Sequence, residues 1–114
     1  MLRVDPVSGD RTIVSDATTG RGPTFVSPAS VAVEADGHLL VVDPELAAVV
    51  RVDPRSGDRV IVSGGSLGRG SGPPFSDPVS LALEADGQLL VMDALFQWVV
   101  RVHPSSGNRT LISK

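Results

Sequence analysis

A unit of about fifty residues, repeated along the chain, limits its fold more than any other feature. The stretch from Pro28 to Ser63, PASVAVEADGHLLVVDPELAAVVRVDPRSGDRVIVS, returns from Pro78 to Ser113 as PVSLALEADGQLLVMDALFQWVVRVHPSSGNRTLIS. Its closing part also stands ahead of the first copy, as RVDPVSGDRTIVS from Arg3 to Ser15. RVDP begins at Arg3 and again at Arg51, 48 positions on, and RVHP begins at Arg101, 50 further. The extra length falls in a loop, where DATTGRGPTF becomes GGSLGRGSGPPF. Loops take insertions because their backbones lie at the surface.

Each full unit reads as four short strands, a to d. Strand a is SVAVEA (Ser30 to Ala35) and SLALEA (Ser80 to Ala85), followed by Asp36-Gly37 and Asp86-Gly87. Asp-Gly between two apolar runs predicts a hairpin with a type I′ turn. Strand b is HLLVVD, then QLLVMD; strand c is AVVRV, then WVVRV. The c–d connections DPRSGD and HPSSGN place Pro54 and Pro104 where φ is preset, and Gly57 and Gly107 where the chain turns left-handed. Strand d is RVIVS or RTLIS, and the half unit supplies only c and d, with Pro6 and Gly9 in the same turn.

LLVV and VVRV lack the in–out alternation of a half-exposed strand, so these sheets are expected to be covered on both faces. VAVE and LALE do alternate, with Ala32 and Ala82 small, as an innermost strand at a crowded axis requires. Aromatic residues make up only 4% of the chain, so the core must come from Val, Leu, Ile and Ala. Twelve glycines and nine prolines leave little room for helices. With no cysteine there is no disulfide framework. A net charge of −3 argues against a nucleic-acid or anionic-membrane binder. MLRVDPVSGD does not read as a signal peptide, and no apolar run approaches the roughly 20 residues that span a bilayer, so a soluble protein of unassigned compartment is expected.

The order P-x-x-[VL]-A-[VL]-E-x-D-G-x-L-x-V-x-D, then a short loop and V-x-R-V, resembles the NHL repeat. It is also similar to the related six-bladed propellers of the SMP-30/gluconolactonase and streptogramin lyase types. The resemblance covers nearly all of the chain outside the two glycine-rich loops. It implies an all-β fold of four-stranded antiparallel propeller blades: a half blade at 3–15, a blade at 28–63 and a blade at 78–113. Propellers typically close with about four to eight blades. Two and a half imply either association into a ring, three chains giving the six full blades of the resembled families, or a place within a longer propeller.

Strand order assigns the a–b and c–d turns to one face, and the b–c loops with the long d–a loops to the other. Long, variable loops favour the second face for binding. On it, Arg21 and Arg69 sit in Gly-Arg-Gly segments, where a fork of donors beside open backbone suits a carboxylate or phosphate; a solvated arginine on a mobile loop is the plainer reading. PELAA in the first b–c loop becomes ALFQW in the second, so Leu95, Phe96 and Trp98 gather half of the four aromatics. Such residues either form a partner or subunit interface or fill a gap between blades.

Asp43 and Asp93 end strand b. The resemblance implies acidic residues near the axis that hold a divalent metal, and oxygen ligands suit calcium; recurrence in both units points instead to a cap on each b–c turn. His38 and His103 lie at turns of different units and are not expected to be catalytic. Arg11, Arg59 and Arg109, which open strand d after Asp10, Asp58 and Asn108, read as solvated or paired strand-edge charges. Three functions stand on these grounds: a non-enzymatic protein-interaction or ligand-binding module that self-associates, a metal-dependent lactonase-type hydrolase, or a structural repeat segment with no ligand of its own.

Overall fold

A computed structural model describes residues 1–66 and 68–113 of the chain, and among these it is all β. Strands β1 (Leu2–Val4) and β2 (Arg11–Ile13) form a two-stranded sheet. β3 (Ser30–Val33), β4 (Leu39–Asp43), β5 (Ala48–Val52) and β6 (Arg59–Gly64) form a four-stranded sheet in sequence order. β7 (Pro78–Leu83), β8 (Leu89–Asp93), β9 (Trp98–Val102) and β10 (Arg109–Ser113) repeat it. Every pairing is antiparallel, as short hairpin connections require.

The sheets pack face to face in chain order, and the absence of alternation in LLVV and AVV explains how. On β4, Leu40 and Val42 turn to one side and join Val49, Leu81, Leu89, Val91 and Val100 in a core between the two four-stranded sheets. Val41 turns to the other side, where with Val50, Val52 and Ala48 it meets Val14 and Met1, which flank the strands of the two-stranded sheet. The two central strands of the middle sheet, β4 and β5, are thus buried on both faces by side chains of nearly one size. Interdigitation of Val and Leu replaces the missing aromatics, at the packing density of protein interiors.

The a–b turns differ in detail from expectation. Only Gly37 has positive φ, 93°, so Asp36-Gly37 is not a type I′ pair. Gly37 N–H bonds Glu34 C=O at 2.9 Å and Glu34 N–H bonds His38 C=O at 2.8 Å, the arrangement of a three-residue loop closed by a left-handed glycine. The aspartate's contribution is its side chain, which accepts from His38 N–H at 3.0 Å. The c–d turn follows its expected chemistry: Gly57, at φ 80°, donates to Asp53 C=O at 2.7 Å, and Asp53 Oδ1 accepts from Arg55 N–H at 2.8 Å.

These turn aspartates make the fold acid-sensitive. Backbone N–H groups of Val7, Thr18, His38 and Arg55 hold Asp5, Asp16, Asp36 and Asp53 below the ordinary value of 3.8. The Gln88 side chain does the same for Asp86. A depressed carboxyl stabilises the fold above its unfolded-state pKa and loses that contribution as pH falls through the folded one. The melting temperature is therefore expected to be flat from neutral pH down to about 5 and to decline below about 4. Melts in a pH series, at fixed ionic strength, check this.

Candidate functional site

Asp43 and Asp93 occupy equivalent buried places at the ends of β4 and β8. Asp43 Oδ1 accepts from Glu45 and Leu46 N–H at 3.1 and 3.2 Å, and Oδ2 from Val26 and Ser27 N–H at 2.8 and 3.0 Å. Asp93 repeats this with Leu95, Phe96, Ser76 and Asp77, all between 2.8 and 3.1 Å. Each carboxylate thereby ties the b–c loop to the end of the d–a loop. Four donors occupy the four lone-pair positions a carboxylate offers, so neither aspartate fits the calcium role that the resemblance implies. No group of three or more His, Asp or Glu side chains placed to hold a metal occurs among the described residues.

Two arginines read from the sequence as strand-edge charges form the main braces between sheets. Arg59 is 4% exposed. Its Nε donates to Pro23 C=O at 2.6 Å, and its Nη1 donates to Ser15 Oγ and to the carbonyls of Asp16 and Thr19 at 2.9 and 3.1 Å. Its guanidinium also lies 5.8 Å from the centre of the Phe25 ring. Arg109 does the same one unit later, reaching Pro73 C=O at 2.6 Å, Ser63 Oγ at 2.7 Å and Arg69 C=O at 2.9 Å, over Phe75. Arg11, the third arginine to open a strand d, is exposed.

These braces revise the division of loops between two faces. The first part of each d–a loop folds back over the c–d turn of the next sheet. Arg21 N–H donates to Asp58 Oδ1 at 2.8 Å, and Arg59 N–H to Arg21 C=O at 2.6 Å. A Cβ on Gly20 would stand 2.0 Å from Gly57 C=O, so glycine there permits the approach. Only the tail of the loop, at Val26 and Ser27, lies with the b–c loop. Arg21 and Arg69 therefore keep exposed side chains on a backbone used as scaffold. Arg69 borders a groove of about 800 Å³ that Leu46 and Ile61 line with apolar surface and Glu45 joins with opposite charge.

Leu95 and Phe96 are exposed, and Trp98 is half-buried against the inter-sheet core with its ring centre 4.4 Å from that of Phe96. Trp98 thus fills space against the core, while Phe96 beside it faces solvent. The patch continues into Met92, 53% exposed, although its counterpart Val42 is fully buried between sheets. His38 and His103 stay with their turns, where His103 Nδ1 accepts from Ser105 and Ser106 N–H at 3.2 Å, in place of the aspartate of the other copies.

No family model matches the chain, and no curated protein matches it. Among solved structures with a matching fold is the PQQ-bound form of aldose sugar dehydrogenase from Streptomyces coelicolor, a β-propeller. The TM-score is 0.56 at 22% identity, over 90% of this chain and 33% of that one. The chain folds as part of a β-propeller. The two four-stranded sheets are its blades, and the chain spans about a third of the neighbour's length. In propeller terms, the Met92–Phe96 patch lies on the face that the next blade would cover, and Arg59 and Arg109 fasten the outer strands. No helix among the described residues is long and apolar enough to cross a membrane.

Proposed function

We propose that this chain is a non-enzymatic interaction module of the NHL-like kind, which completes a propeller by association with copies of itself and meets a protein or small-molecule partner beside Arg21, Arg69, Leu95, Phe96 and Trp98. The supporting observation is the exposed face of the second blade. Met92, Leu95 and Phe96 face solvent where the first blade buries Val42 against its neighbour. Contiguous apolar surface rimmed by polar loops is characteristic of interfaces. The hydrolase reading would require carboxylate lone pairs that backbone N–H groups already occupy in Asp43 and Asp93.

Light scattering tests this. A folded species with the mass of three chains is expected, giving six full blades, and Met92→Glu with Leu95→Glu is expected to return it to one chain with little change in the monomer's circular dichroism. A parent protein that remains a folded monomer at high concentration would overturn the self-association.

A further inference from the structure

The groove along β6 carries chemistry that the scaffold does not use. Its bounding residues run from Pro23 to Arg69, so it is formed inside the chain, and its volume of about 800 Å³ is that of a small-molecule site. The apolar walls are Leu46, Ala47, Val60, Ile61 and Pro23. With no aromatic ring among them, they suit a flexible hydrocarbon body rather than a stacked ring. The repeat shows which of these residues the blade itself needs. Those that build the blade recur in both units, whereas Val60 answers to Thr110 and Leu46 to Phe96. Val60 is 61% exposed, an apolar side chain left uncovered where the second blade carries a hydroxyl.

Two kinds of polar group face this apolar surface. The first is main chain. Arg59 N–H bonds Arg21 C=O, and Gly64 and Arg69 exchange bonds of 2.8 and 3.0 Å, so Arg59 and Gly64 turn their backbone groups away from β5. By antiparallel alternation Ile61 N–H and C=O also point away from β5, and neither has a partner among the described residues. The second is charge. Arg59, 4% exposed, lines the groove, yet no carboxylate among the described residues lies within ion-pair distance of it. Its Nη2 makes one bond, of 3.4 Å, to Gly22 C=O. A buried charge is ordinarily paired. Arg69, exposed at the border, makes one side-chain bond, of 3.3 Å, to Ser105 C=O. Two guanidinium groups therefore stand against one carboxylate, Glu45 at the rim.

We infer that this groove binds an aliphatic carboxylate. The hydrocarbon chain lies along Leu46, Val60 and Ile61, and the anionic head pairs with Arg69 in the field of Arg59. An arginine offers a carboxylate two parallel bonds, and Ile61 N–H adds a main-chain donor. The inference gives a ligand class to the Arg69 part of the surface proposed above and rests on that reading. Met92 and Leu95 lie outside the groove, so self-association and ligand binding fail in separate experiments.

The probe is decanoate, titrated into the full chain below its micelle concentration and followed through backbone amide NMR shifts. Saturable shifts centred on Ile61, Gly64 and Gly65 are expected, with decanol binding about tenfold or more weaker. Arg69→Glu is expected to weaken decanoate by about tenfold or more and to leave decanol unchanged, which separates loss of the ion pair from damage to the groove. Val60→Glu, at an exposed position, should weaken both ligands without altering the melt. Absence of saturable shifts overturns the inference, as do shifts centred on Met92, Leu95 and Phe96 instead. Decanol binding equal to decanoate, or decanoate binding that survives both substitutions, overturns it as well.

Discussion

Arg59→Met is expected to lower the stability of the chain by about 3 kcal/mol, the largest effect of any single arginine. The substitution keeps most of the buried volume and removes all of the donors. Carbonyls of Pro23, Asp16 and Thr19 and the hydroxyl of Ser15 then lose a partner together. A buried acceptor left without one costs about 1–3 kcal/mol, reduced where water enters. Arg109→Met should cost less, about 1–2 kcal/mol, because Arg109 is only partly buried and its bond to Arg69 C=O is exposed to solvent. Lysine should rescue Arg59 only in part, since one ammonium cannot follow the fork that Nε and Nη1 make toward two stretches of loop. Urea unfolding curves of the three variants measure this ordering. Equal, negligible costs at Arg59 and Arg109 would mean that both are surface charges after all.

Asp43→Asn should cost about 2–4 kcal/mol although it changes one atom. Asparagine keeps one acceptor and turns the other into a donor, which must face two backbone N–H groups in a site with no solvent access. Either Val26 and Ser27 or Glu45 and Leu46 lose their bonds, and one end of the loop pair comes free. Asp93→Asn should behave alike. Differential scanning with and without calcium separates the structural role from a metal role: the parent is expected to melt at the same temperature in both. A calcium-dependent rise that Asp93→Asn abolishes would restore a cation to this site.

The two aspartates and the two arginines differ in how far the sequence disclosed them. Asp43 and Asp93 recur at the end of an apolar run, next to a loop, where a local cap is the ordinary expectation for an acid. The structure adds a second pair of N–H groups from residues 16 and 17 positions earlier. Strand placement was legible for a similar reason, because periodicity and turn residues act within a few positions of each other. Burial of Arg59 was not, since its acceptors lie 36 to 44 residues upstream and come near only when the d–a loop folds back. A hint was present: the GRGPTF and GRGSGPPF segments occur once for each strand-d arginine that is braced. The Asp-Gly turns show the opposite case. Their location was plain, but the conformation depended on one extra residue in the loop.

The loop that leads into each blade is held by the last strand of that same blade. Residues before β3 are gripped from β6, and residues before β7 from β10. A blade of which only the first three strands have formed holds just the tail of its entrance, through the aspartate that ends its second strand, and the rest of the loop gains its bonds only when the fourth strand arrives. Each blade therefore shuts like a clasp whose two halves are its first and last residues. Such a repeat favours whole blades over fractions of one, so the chain adds structure in complete steps.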